Sequence, residues 1–136
     1  MSENIQNSAW WVSTKEFLPD MNERVLCITK FGHVVRYMFT DNGMGRAPLF
    51  EPDGMKPGDD VKWWMPIPKD GWKKLEDEMP AEGQEVLAMG LYGEIFSAKC
   101  RRFLPHMKPE LAPAVGYKYI FWRPMPELPT GVSLNY

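Results

Sequence analysis

The chain is built from short apolar runs of strand length, separated by segments rich in Gly, Pro and charge. Arg24-Val25-Leu26-Cys27-Ile28-Thr29 is one such run, β-branched and apolar, and reads as a strand. Phe31-Gly32 supplies a turn, and His33 to Phe39 is a second strand. The pattern returns as Glu85 to Met89, a turn at Tyr92-Gly93, and Glu94 to Cys100. A last strand is expected at Val61 to Met65 and again at Tyr119 to Arg123. Each is followed by Pro-x-Pro, which lacks the donors to continue a ladder. The segments Thr40 to Asp60 and Arg101 to Lys118 read as long loops, of the length that usually carries function. No long stretch has helical periodicity. Only Thr14-Lys15-Glu16, Leu75-Glu76-Asp77-Glu78 and the long loops leave room for a short helix.

These runs belong to an internal repeat. Trp11 to Gly32 aligns with Trp72 to Gly93 at an offset of 61 residues and without a gap. Identities fall at Trp11/Trp72, Pro19/Pro80, Val25/Val86, Leu26/Leu87 and Gly32/Gly93. After a loss of three residues the alignment resumes at an offset of 58, where Trp64-Met65-Pro66-Ile67-Pro68 matches Trp122-Arg123-Pro124-Met125-Pro126. The fold expected is therefore all-β, with short helices at most in its loops. It comprises two tandem three-stranded meander units, 11–68 and 72–129, packed with pseudo-twofold symmetry into one compact domain. A unit of this size has too little core to be comfortable alone.

A two-residue turn at Phe31-Gly32 would place Leu26, Ile28, Val35, Tyr37 and Phe39 on one face. Leu87, Met89, Phe96, Ala98 and Cys100 would share the equivalent face of the second unit. That face is the expected core side. Phe-Gly is not the Asn-Gly signature of a type I′ turn, so the register is open by one residue.

Trp, then Leu-Pro, then Glu-x-Val-Leu, then Val-x-x-Trp-Met-Pro-Leu-Pro is the pattern of the domain of unknown function 551 family, which the chain resembles in two copies. The first copy carries it in Trp11, Leu18, Pro19, Val25, Leu26, Val61, Trp64, Met65, Pro66, Ile67 and Pro68. The second carries it in Trp72, Pro80, Glu85, Val86, Leu87, Trp122, Pro124, Met125, Pro126, Glu127 and Pro129, and departs at Arg123, where the family has Met. The resemblance implies a small cytosolic domain in a phage, prophage or mobile-element setting. It implies no catalytic residue, cofactor or substrate.

Composition narrows the function further. Of 136 residues, 44% are hydrophobic and 25% charged, an ordinary globular balance that excludes a disordered chain. Thirteen prolines and eleven glycines exceed what a helical bundle tolerates. No apolar run approaches the roughly 20 residues of a membrane-spanning helix. The first residues, Met1 to Trp11, lack the basic and apolar regions of a signal peptide, so a cytoplasmic protein is expected. Cys27 and Cys100 then read as reduced core thiols, with a disulfide left open. A net charge of −2 argues against nucleic acid and anionic membrane as partners.

Motifs for chemistry are missing. His33 and His106 have no His or Cys at zinc-ligand spacing, so no metal is expected. There is no nucleophile elbow, and Gly43-Met44-Gly45 lacks the flanking strand, helix and Lys of a phosphate loop, so no cofactor is expected either. Asp59-Asp60 and Glu76-Asp77-Glu78 read as solvated surface. The expectation is binding without turnover. The partner is a host protein or, alternatively, a small anionic ligand such as a nucleotide, held between repeats or subunits.

Six tryptophans and a charge split supply the candidate surface. Trp11, Trp72, Trp64 and Trp122 recur and are expected in the core, whereas Trp10 and Trp63 have no Trp counterpart. Trp63 and Trp64 point to opposite faces of their strand, which frees one for a surface or a homo-oligomer interface. From Ala98 to Arg123 the net charge is +5, whereas Leu75 to Glu94 carries −6. The two segments either neutralise one another or leave a cationic, aromatic patch for an anion. The candidate binding residues are Arg101, Arg102, Tyr117, Lys118, Trp122, Arg123 and Trp63.

Overall fold

A computed structural model describes residues 10–102, 104–112 and 118–136. Every regular element in it is a β-strand, and all pairings described below are antiparallel. The chain divides into two units. The first runs to Ile67 and takes in Pro126–Asn135; the second is Pro68–Met125 with Tyr136.

The first unit holds β1 (Val12–Ser13), β2 (Glu23–Thr29), β3 (Val34–Thr40), β4 (Leu49–Glu51) and β5 (Val61–Pro66). Its strand order is β1-β5-β2-β3, with β4 on β3. The second holds β6 (Lys73–Lys74), β7 (Glu85–Gly90), β8 (Ile95–Arg101), β9 (Glu110–Ala112) and β10 (Tyr119–Pro124). Its order is β6-β10-β7-β8, with β9 on β8. Each unit thus has five strands where three were expected. Nor is it a meander, because the third long strand returns to the first. The long connection contributes a short strand of its own, β4 or β9, which pairs with β3 or β8. The last strand then pairs with β2 or β7. The expected short helices at 14–16 and 75–78 are turns.

The same bonds recur in the two units at the sequence offsets. Trp64 Nε1 donates to the Phe17 carbonyl at 2.9 Å, and Trp122 Nε1 to the Glu78 carbonyl at 2.8 Å. Asp20 N–H donates to the Glu23 carboxylate at 3.0 Å, and Ala81 N–H to the Gln84 amide oxygen at 2.9 Å. Asn22 and Gly83, both at positive φ, donate to the carbonyls of Phe39 and Cys100.

Each hairpin turns through three residues, not two. Thr29 N–H donates to His33 O at 2.8 Å and Gly32 N–H to Thr29 O at 3.0 Å, with Gly32 at φ 81°. Gly90, Glu94 and Gly93 (φ 83°) repeat this arrangement. A type I turn closed by a left-handed residue is the common three-residue hairpin loop, and glycine adopts that last conformation without strain. The extra residue slips the register by one from expectation. Val25 opposes Tyr37 and Leu26 opposes Arg36. One core is accordingly Val25, Cys27, Tyr37, Phe39, Phe50 and Val61, with Trp64 packed on it. The Phe39 and Phe50 rings meet at 4.9 Å between centroids. The other core is Val86, Ala88, Ala98, Cys100, Leu111 and Trp122. Leu26, Ile28 and Leu87 are buried too, on the opposite faces, so these strands are covered on both sides.

Of the four recurring tryptophans, Trp11 and Trp122 are buried while Trp64 and Trp72 are half-buried. Trp122 sinks to 2% exposure because Ala98 and Cys100 stand where the first unit has Tyr37 and Phe39, leaving room for the indole. Cys27 and Cys100 are free and buried, and burial pushes both thiols up from their ordinary pKa.

The Pro126–Asn135 segment closes on the first hairpin. Asn135 N–H donates to Gly32 O and its side-chain amide to Phe31 O, each at 2.8 Å. A β-carbon on Gly32 would lie 2.7 Å from Asn135 Nδ2, whereas one on Gly83 (φ 87°) would meet open space. Gly83→Ala should therefore cost about 1 kcal/mol through backbone strain alone. Gly32→Ala should cost about 1 kcal/mol more by displacing the Asn135 amide, read as a lower urea midpoint.

Candidate functional site

The structure disperses the cationic residues picked out in the second unit. Arg101 closes β8 with its Cα opposite Glu110. Arg102 reaches Glu82 at 3.3 Å through Nε and the Met107 carbonyl through a terminal nitrogen. Lys118 is exposed just ahead of β10, and Tyr117 lies outside the described residues. Trp122 is a core residue whose indole N–H is taken, with Lys73 Nζ 5.2 Å from the ring centroid. Arg123 turns to the start of the unit, donating to the Asp70 carbonyl at 2.6 Å and facing the Asp70 carboxylate at 3.6 Å. Arg101 and Arg102 lie at the far end of β8, separated from the Arg123 strand by β7. They form no common patch with Arg123 and Trp122, because alternation and partnering send each side chain elsewhere. Arg102–Glu82, at 3.3 Å, joins the basic segment to the acidic one, so neutralisation operates in part.

Trp63 is placed differently, in the first unit. It opposes Ile28, while Trp64 opposes Cys27, so the two indoles do take opposite faces. Trp63 and Lys62 help to line a cavity of about 400 Å³ with Thr29, Lys30, Ser133 and Asn135. A smaller one of about 140 Å³ on Ser13, Thr14 and Lys15 shares the same two residues. Lys30 is fixed at the rim by Asp60, 2.8 Å away, and the Asp60 carboxylate also accepts the Lys56 N–H at 2.8 Å. Those hydrogen bonds, that from Lys30 first, hold the Asp60 carboxyl below its usual pKa.

A second cavity of the first unit, about 420 Å³, is one that sequence reasoning missed. Arg24, Arg36, Tyr37, Met38, Thr40, Asn42, Glu51 and Pro52 line it. Arg36 interrupts the apolar run Val34-Val35-Arg36-Tyr37-Met38-Phe39, which was the available signal. It carried no weight there because the charge count in that copy is balanced and the register left the face of Arg36 open.

Large apolar side chains are also exposed beside the edge strand β1. Trp10 is 61% exposed, Phe17 70%, Leu18 47% and Met21 49%. The three positions equivalent to Trp10, Phe17 and Met21 in the second unit are Gly71, Glu78 and Glu82. Among the described residues no three His, Cys, Asp or Glu side chains gather as a metal site, and no helix is long and apolar enough to cross a membrane.

No family model, curated protein or solved structure matches the chain. The resemblance to the domain of unknown function 551 family rests on the residues that carry it.

The Lys30–Asp60 contact has a pH signature. With the folded pKa of Asp60 depressed, its contribution to stability is complete above the unfolded carboxyl value and is lost as pH falls through the folded one. Urea midpoints measured from pH 6 to pH 2 should fall less steeply for Asp60→Asn than for the natural chain. Parallel curves would remove Asp60 as a contributor.

Proposed function

We propose that this chain is a non-catalytic binding protein that engages a host protein through the apolar residues flanking β1. The resemblance supports a phage or mobile-element accessory role. The supporting observation is the contrast between units. Both build the same turn after the edge strand, with an N–H to carbonyl bond from Phe17 to Ser13 and from Glu78 to Lys74, each at 3.1 Å. Both hold that turn by an indole N–H. The second does so with Gly71, Glu78 and Glu82 where the first has Trp10, Phe17 and Met21. The fold therefore does not require apolar groups at these positions. Leaving Trp10, Phe17 and Met21 in water within twelve residues, beside the exposed Leu18 whose counterpart Met79 is also apolar and exposed, makes a surface suited to burial against another protein.

The two-residue β1 offers little backbone for strand addition, so side-chain packing would dominate the contact. Host-lysate capture followed by reconstitution with the purified partner tests this reading. Phe17→Ser with Leu18→Ser should weaken the complex at least tenfold while changing folding stability by less than about 1 kcal/mol, since both side chains are exposed. Arg101→Ala, on the second unit, should leave affinity unchanged. An unaltered complex with the double variant would overturn the assignment.

A further inference from the structure

We infer that the cavity lined by Arg24 and Arg36 is a binding site for the phosphoryl group of a small phosphomonoester. The inference is independent of the host-protein surface, which uses other residues. It begins with register. Thr29 and His33 form a hydrogen-bonded pair, so the alternate pairs Leu26/Arg36 and Arg24/Met38 are non-bonded pairs, whose side chains stand closest. Arg24 and Arg36 are then diagonal neighbours on one face, about 7–8 Å apart by sheet geometry and within mutual reach of long side chains.

Like charges so placed repel, and among the described residues no ion pair or hydrogen bond of either guanidinium offsets them. The one carboxylate of the lining, Glu51, is held by Arg46. Asp53 accepts the Tyr37 hydroxyl at 2.7 Å, and Thr40 Oγ1 is engaged by Asn22 and by the Asn42 N–H. The second unit fills the same positions differently. Glu85, the counterpart of Arg24, opposes Lys99, and Ser97 stands in the place of Arg36. The hairpin thus tolerates a compensated pair there, and the first unit presents two uncompensated cations instead.

The donor set selects the ligand. One guanidinium fork satisfies a carboxylate with its two oxygens. Two forks facing one space match a group with three oxygens and nearly two negative charges, which is a phosphomonoester. Met38 and Pro52 supply an apolar wall for the organic part, and about 420 Å³ suits a ligand of nucleotide size or smaller.

Titration of the full chain with phenyl phosphate at low salt tests this, with benzoate as the carboxylate control. Phenyl phosphate should bind at least tenfold more tightly than benzoate, and its affinity should rise from pH 5 to pH 7 as the dianion forms. Arg24→Ala and Arg36→Ala should each weaken it at least tenfold, and Arg36→Lys less than Arg36→Ala. Arg24 is exposed, so Arg24→Ala keeps the test valid even where Arg36→Ala fails to fold. With no ligand, Arg24→Ala should melt no lower than the natural chain, because a repulsion has been removed. Absence of phenyl phosphate binding, equal binding of benzoate, or full affinity in Arg24→Ala would overturn the inference.

Discussion

The left-handed glycine that closes each hairpin determines which side chains share a face. With Gly32 at φ 81° the loop takes three residues, and the pairing of β2 with β3 is set one residue from where a two-residue turn would put it. Because side chains alternate with a period of two, that single step moves every one of them relative to its partner strand. It brings Val25 and Cys27 to the side of Tyr37 and Phe39, forming one core. It brings Arg24, Leu26 and Ile28 to the side of Val34, Arg36 and Met38. The candidate anion site and the core follow from the same constraint.

The strands themselves were legible because their apolar runs are bounded by Gly and Pro. Predicted and observed limits of β2, β3, β5, β7, β8 and β10 agree to within a residue or so. Tryptophan and proline mark the internal match in the sequence, and individual hydrogen bonds recur at its offsets. What escaped was long-range order. β5 returns to β2 while β4 pairs with β3, and a three-residue strand inside a Gly- and Pro-rich loop leaves no periodic trace. The Pro126–Asn135 segment also escaped, since its attachment rests on one asparagine meeting a carbonyl 104 residues away.

Of the candidate site, Trp63 was legible as a residue free of the main core, and it lines a cavity. The cationic cluster was not, because a count of charges along the chain ignores strand alternation. Arg123 and Trp122 adjoin in sequence yet point to opposite faces, and Arg102 already has an acid partner. Where the two units share hydrogen bonds at the sequence offsets, the informative residues are those that differ. Trp10, Phe17 and Met21 give way to Gly71, Glu78 and Glu82, and Arg24 and Arg36 to Glu85 and Ser97. Positions that differ where the hydrogen bonds are the same are not explained by folding, which is why both proposals fall on the first unit.

Cross-strand contacts between α-protons, read by NMR, test the register directly, since these protons approach closely only in non-bonded antiparallel pairs. The account predicts strong cross-peaks for Ile28–Val34, Leu26–Arg36 and Arg24–Met38. Cross-peaks for Cys27–Arg36 and Val25–Met38 would contradict it, because those are the non-bonded pairs of a two-residue turn and would place the two arginines on opposite faces.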